Sequence, residues 1–170
     1  ILSKPSLDDS HKKVAKTLLL SDEPCSEFLR ERIQWYLQQT SFGTAHQKKD
    51  TCVLGNLALK VLANSLLVLS NNNTKSENGS MLDTSSVFWQ RVQASLCRNV
   101  RHAAQCPQAA AISVRCLGFV QHASTESAHS CDSALVVDLM NAYTIGKEQH
   151  LGLEQETRKL LEVLTTPPPP

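Results

Sequence analysis

From Val53 to Leu69 apolar residues fall on nearly every side of a helix, yet Asn56, Lys60, Asn64 and Ser65 interrupt the run. It therefore falls short of the roughly 20 apolar residues that a membrane-spanning helix needs. The pattern predicts a buried central helix from Asp50 or Thr51 to about Ser70. Its inward set is Leu54, Leu57, Ala58, Val61, Leu62, Leu66 and Leu69, while Val53, Leu59, Leu67 and Val68 cover much of the other side. A helix apolar on two sides is expected to be packed on two sides.

Helical spacing runs almost from end to end, and no segment of four or more residues alternates as a half-buried strand would. The expectation is an all-α chain of about seven helices. The first covers about Asp8 to Leu20 with Val14, Leu18 and Leu19 inward, and Ser21-Asp22-Glu23-Pro24 gives a stop and then a start signal. The second, Pro24 to Gln39, turns Phe28, Leu29, Ile33, Tyr36 and Leu37 inward and leaves Trp35 off that stripe. The fourth, about Thr84 to Ala104, carries Phe88, Trp89, Val92, Leu96, Val100 and Ala103 on its inner side. Pro107 opens the fifth, which runs to about His122 through Ile112, Cys116, Leu117 and Val120. The sixth, Cys131 to Tyr143, uses Leu135, Val136, Leu139, Met140 and Tyr143, with Gly146 as its stop. The seventh, Leu153 to Leu164, uses Leu153, Leu160, Leu161 and Leu164. Residues 71–83 are polar, low in complexity and expected to form a mobile loop.

The helices also pair in a repeating way. Ser26-Glu27-Phe28-Leu29 before Arg32-Ile33-Gln34 matches Ser86-Val87-Phe88-Trp89 before Arg91-Val92-Gln93 with one residue inserted, and Ser133-Ala134-Leu135-Val136 starts a third copy. Ser26, Ser86 and Ser133 stand 60 and 47 residues apart, the second spacing being close to the roughly 40 to 47 residues of HEAT and armadillo units. Leu54-Gly55-Asn56-Leu57-Ala58 resembles the Leu-x-Asn-Leu-Ala pattern in the last helix of armadillo units. Over about residues 24–164 the chain thus resembles HEAT and armadillo repeats. The pairs lack the Asp-x-x-x-Arg signature of HEAT units and the short first helix of armadillo units. The resemblance implies an α-solenoid fragment of antiparallel helical pairs; a compact helical bundle is the alternative.

Length, charge and ends narrow the functional classes. The chain has 170 residues, about one compact domain. Seventeen basic against sixteen acidic residues remove the electrostatic argument for nucleic acid or an anionic membrane. The opening at Ile1 and the closing Pro167-Pro168-Pro169-Pro170 lead us to expect a single helical domain over residues 1–164, part of a larger protein, with a Pro-rich linker starting at 165–170. Six cysteines, mostly inside apolar helical patterns, are expected to be reduced and mostly buried, as in an intracellular protein of cytoplasm or nucleus. The sequons at Asn72 and Asn78 carry weight only in a secreted chain.

Motifs for chemistry are lacking. There is no Gly-x-Ser-x-Gly, phosphate-binding glycine loop, His-Glu-x-x-His or Asp-rich metal loop. Neither enzyme activity nor a cofactor is expected. Gly55 and Gly118, isolated in helical patterns, are expected to admit a neighbouring helix. His122, Glu126, His129 and Cys131 lack the paired spacing of structural zinc sites, so no metal is expected.

The best surface feature is on the fourth helix. At 100° per residue Arg91, Arg98 and His102 form a narrow stripe with Arg101 beside it, opposite the apolar side, and Arg115 on the next helix extends it if the two are adjacent. Guanidinium groups make paired hydrogen bonds to carboxylates. Trp35, on a helix that also carries Arg30, Glu31 and Arg32, is the candidate aromatic anchor. These six residues predict a protein-protein interaction scaffold that binds a partner protein segment, an acidic one by preference, rather than nucleic acid or membrane. A secreted cytokine-like helical bundle is the alternative, although seven helices exceed the four that such a bundle needs.

Overall fold

The computed structural model describes residues 7–39, 49–72, 86–123 and 133–165, and among them every regular element is an α-helix. In chain order these are α1 (Leu7–Leu20), α2 (Pro24–Gln39), α3 (Lys49–Asn72), α4 (Val87–Arg101), α5 (Pro107–Ala123), α6 (Ser133–Gln149) and α7 (Leu151–Thr165). The described residues thus hold seven helices and no strand, and none of the helices is long and apolar enough to cross a membrane. The expected loop at 71–83 loses Asn71 and Asn72 to the end of α3, and its remaining residues lie outside the described ones.

Local chemistry sets most helix starts. Pro24 and Pro107 open α2 and α5, where a missing N–H costs nothing and the ring presets φ. Ser86 caps α4 by accepting the Trp89 N–H at 3.3 Å on its side-chain oxygen. Ser26 is buried inside α2 while Ser86 precedes α4, so the aligned copies do not share a register at their starts. Ile33 and Val92, which the alignment pairs, are both buried.

The last two helices correct the expectation for Gly146. The glycine does not end α6 but lies buried within it, and a single residue, His150, joins α6 to α7. His150 donates its N–H to the Gly146 carbonyl at 2.9 Å, and its Nδ1 accepts the Leu153 N–H at 3.0 Å as the cap of α7. A Cβ at Gly146 would fall within 2.9 Å of Glu154 Cα and 3.0 Å of the Leu153 carbonyl carbon, with the Glu154 nitrogen closer still. Hydrogen in place of a side chain is what lets α7 turn back against α6. Gly118, expected to admit a neighbouring helix, has nothing within 4 Å of the position of an added Cβ. Close approach belongs to Gly146 instead.

Helix α3 packs against α1, α2 and α5, and buries Ala58, Leu59, Leu62, Ala63, Leu66 and Leu69. This face is rotated from the expected one. Leu54, Leu57 and Val61 point outward, with Leu57 51 % exposed, whereas Leu59, expected on the far side, is fully buried. The small residues Gly55, Ala58, Ala63 and Ser65 all lie on the buried side, where they let neighbouring helices approach. Val14, Phe28, Leu29 and Met140, also expected inward, are exposed, while Ala15 and Ala142 take buried places on α1 and α6. Helix α2 packs on α4 and α4 on α6; α3 packs on α5 and α5 on α7; α1 lies against α2 and α3. Between α4 and α5 a fully buried Asn99 donates from Nδ2 to Ser113 Oγ at 3.0 Å.

The two faces of α3 respond differently to truncation. Leu62→Ala is expected to cost about 2 to 5 kcal/mol in urea unfolding and Leu57→Ala less than about 1 kcal/mol, because only the first leaves a cavity. The glycines separate in the same way. Gly118→Ala should raise stability by about 0.5 to 1 kcal/mol through helix propensity, and Gly146→Ala should lower it by about 1 to 3 kcal/mol through overpacking.

Candidate functional site

Each helix ends in carbonyls with no partner in their own helix, and neither α1 nor α2 has a basic residue in its last turn. Arginines from other helices serve both ends. Arg30 on α2 donates from Nη1 to the carbonyls of Leu18 and Ser21, each at 2.8 Å, closing α1. Arg98 on α4 donates from Nη2 to the carbonyls of Leu37 at 3.1 Å and Gln38 at 3.4 Å, closing α2.

The stripe predicted on α4 is therefore divided among tasks. Arg98 is half-buried at the end of α2. Arg101 pairs with Asp138 of α6 at 3.4 Å. Arg115 pairs with Glu156 of α7 at 3.1 Å, and Lys159 stands 3.8 Å from the same carboxylate. Pairs this exposed contribute about 0 to 1 kcal/mol each, so they set orientation more than stability. His102 is the half-buried C-cap of α4, its backbone N–H donating to the Arg98 carbonyl at 3.1 Å, while the next N–H, of Ala103, donates to the Val100 carbonyl at 3.2 Å. Arg91 stays at the surface.

Arg91 and Trp35 meet in one place. Between α2 and α4 runs a groove of about 690 Å³ whose lining includes Gln34, Trp35, Gln38, Phe88 and Arg91. Trp35 is 47 % exposed and stands edge-on to Tyr36, the ring centroids 5.0 Å apart; Trp89 is buried, edge-on to Phe88. Asp22, Glu27 and Glu31 share this lining with Arg30 and Arg91, so its charges are mixed in sign.

A second groove, of about 610 Å³, lies across α1, α2 and α3 and is lined mainly by apolar side chains. Val14, Leu29, Leu54, Leu57 and Val61, the residues that the helical pattern assigned to the core, form much of its wall. The sequence signal was present as the two-sided apolar pattern of α3, but periodicity does not say which side is covered. A smaller groove of about 390 Å³ lies among α3, α5 and α7 beside Gly118.

Among the described residues no group of three or more His, Cys, Asp or Glu side chains could hold a metal ion. The side chain of His122, and Glu126, His129 and Cys131, lie outside them. Of the cysteines whose side chains are described, only Cys116 is buried; Cys97 and Cys106 are half-buried and Cys25 is exposed, which corrects the expectation of mostly buried thiols. Burial pushes the Cys116 thiol up to about 12, against a smaller downward pull from the Arg115 charge and a backbone hydrogen bond. No protein-family model, curated protein or solved structure matches the chain.

The raised thiol fixes a sign. Below pH 9.0, the ordinary thiol value, folded and unfolded states both hold the proton; between 9.0 and about 12 only the folded state does. Stability should therefore fall across that window, by at most about 1.4 kcal/mol per pH unit from this group. Urea unfolding of Cys116→Ala should lack that part of the decline. In native protein at pH 8, iodoacetamide should label Cys25 and spare Cys116.

Proposed function

We propose that the chain is a non-enzymatic protein-recognition domain built from helical pairs, and that a partner segment lies in the groove between α2 and α4. The observation that carries this is the meeting of Trp35 and Arg91. They stand on different helices, 56 residues apart in sequence, yet line one open groove. Tryptophan and arginine dominate binding energy at interfaces because each presents a large, stiff contact surface with directed hydrogen-bond donors.

The α-solenoid part of this reading rests on the pairing of helices in the sequence; in the packing, α2, α4 and α6 follow one another and so do α3, α5 and α7, an order open to stacked pairs and to a compact bundle alike. Stacking of this kind buries the core between layers and leaves long faces open to a partner. In the α2–α4 groove the mixed charges favour a segment that brings an acid to Arg91, a base to Glu27 or Glu31, and an apolar side chain to Trp35. In this reading the setting is intracellular and no cofactor takes part.

Trp35 is its own reporter. In a Trp89→Phe variant it is the one remaining tryptophan. Peptides selected by display on the native chain are expected to shift Trp35 emission, to bind at least about tenfold more weakly to Arg91→Glu, and to lose binding to Trp35→Ala. Selected peptides that bind both variants as they bind the native chain would overturn this reading.

A further inference from the structure

We propose that the apolar groove across α1, α2 and α3 is a second docking face, and that its occupant is an amphipathic helix of a partner protein whose apolar stripe is bordered by acidic residues. The face is separate from the α2–α4 groove and does not depend on it.

Exposure is the first observation. Val14 is 64 % exposed, and Leu29, Leu54, Leu57 and Val61 are each more than two-fifths exposed around the same depression. Scattered exposed leucines need no explanation, but a contiguous apolar patch with a charged rim marks a binding surface. The spacing is the second. Leu54, Leu57 and Val61 follow i, i+3, i+7 along α3, and Leu29, Ile33 and Tyr36 follow i, i+4, i+7 along α2. Two such ridges leave between them a valley that takes the ridge of a third helix. From Cys25 to Tyr36 the α2 wall is about 16 Å long at 1.5 Å per residue, the length of about three helical turns.

The rim decides the chemistry of the occupant. Lys13 on α1 and Arg32 on α2 border the groove, and Lys60 lies on the same outer side of α3 as Leu57. Arg32 is held over the Phe28 ring, its guanidinium carbon 5.0 Å from the ring centroid. The acidic lining residue is Glu23, just before α2 begins. In a chain whose charges otherwise nearly cancel, two cations against one carboxylate on the lining of an apolar valley favour carboxylates on the flanks of an incoming helix.

The test uses the native chain and three synthetic peptides of about 14 residues: leucines at i, i+3, i+4 and i+7 flanked by glutamates, the same leucines flanked by lysines, and a scramble of the first. Binding is read by calorimetry and by slowed alkylation of Cys25, an exposed thiol on the groove wall. The glutamate peptide should bind about tenfold more tightly than the lysine peptide at low salt, the difference shrinking in about 0.5 M salt. Leu57→Asn should weaken it about tenfold with helix content unchanged, and Lys13→Glu with Arg32→Glu should remove the preference for glutamate. Equal binding of all three peptides, no binding, or binding indifferent to Leu57→Asn would overturn the proposal. So would a concentration-dependent dimer in sedimentation that Leu57→Asn dissolves, since the occupant would then be a second copy of the chain. Arg91→Glu, on the lining of the α2–α4 groove alone, should leave every one of these readings unchanged, which separates this face from that groove.

Discussion

The burial of one side of α3 is the constraint on which the other helices depend. Leu59, Leu62 and Leu66 are fully buried, and α1, α2 and α5 all pack on this helix. Fully burying a leucine is worth about 1.5 to 3 kcal/mol relative to exposing it, and a domain of this size has a net stability of about 5 to 15 kcal/mol. The placement of α3 is thus decided by which of its two apolar sides can be approached more closely. Gly55, Ala58, Ala63 and Ser65 give one side its low relief, and the neighbours pack there. The opposite side, richer in large residues, becomes the wall of a groove.

A second constraint concerns helix ends. Helices α1 and α2 have no basic residue in their last turns, and Arg30 and Arg98 reach the carbonyls there from α2 and α4. Each arginine thereby fixes the end of one helix against the flank of another, at positions where unpaired carbonyls would be partly shielded from water. The same use explains why the arginines of α4 do not form a uniform binding ladder. Arg98 belongs to the end of α2, Arg101 to Asp138 of α6 and Arg115 to Glu156 of α7. Left at the surface are Arg91 and Trp35 on one groove and the apolar wall across α1–α3 on another.

Sequence alone determined the all-helical character, the number of helices among the described residues and several of their starts, because 3.6-residue spacing, Pro24 and Pro107 act within one or two turns of chain; the start of α4, expected near Thr84, is set by the Ser86 cap. It also placed Leu37, Leu62, Trp89, Val92 and Leu96 in the core, where each is the apolar side of a helix with one clear stripe or a residue common to both sides. What tertiary structure decided was everything that depends on which surface meets which. Periodicity is a property of one helix, so it could not choose between the two sides of α3, nor tell that Leu57 faces out and Leu59 in. Gly146 read as a stop because glycine commonly ends helices, yet its role is set by α7 lying against it, a contact absent from the local pattern. Arg98 and Arg115 read as a surface stripe because their spacing is right; the carbonyl and carboxylate that engage them come from elements 60 and 41 residues away in the chain. Local chemistry writes the helices, but partners distant in sequence decide which of their faces are buried in folding and which stay exposed.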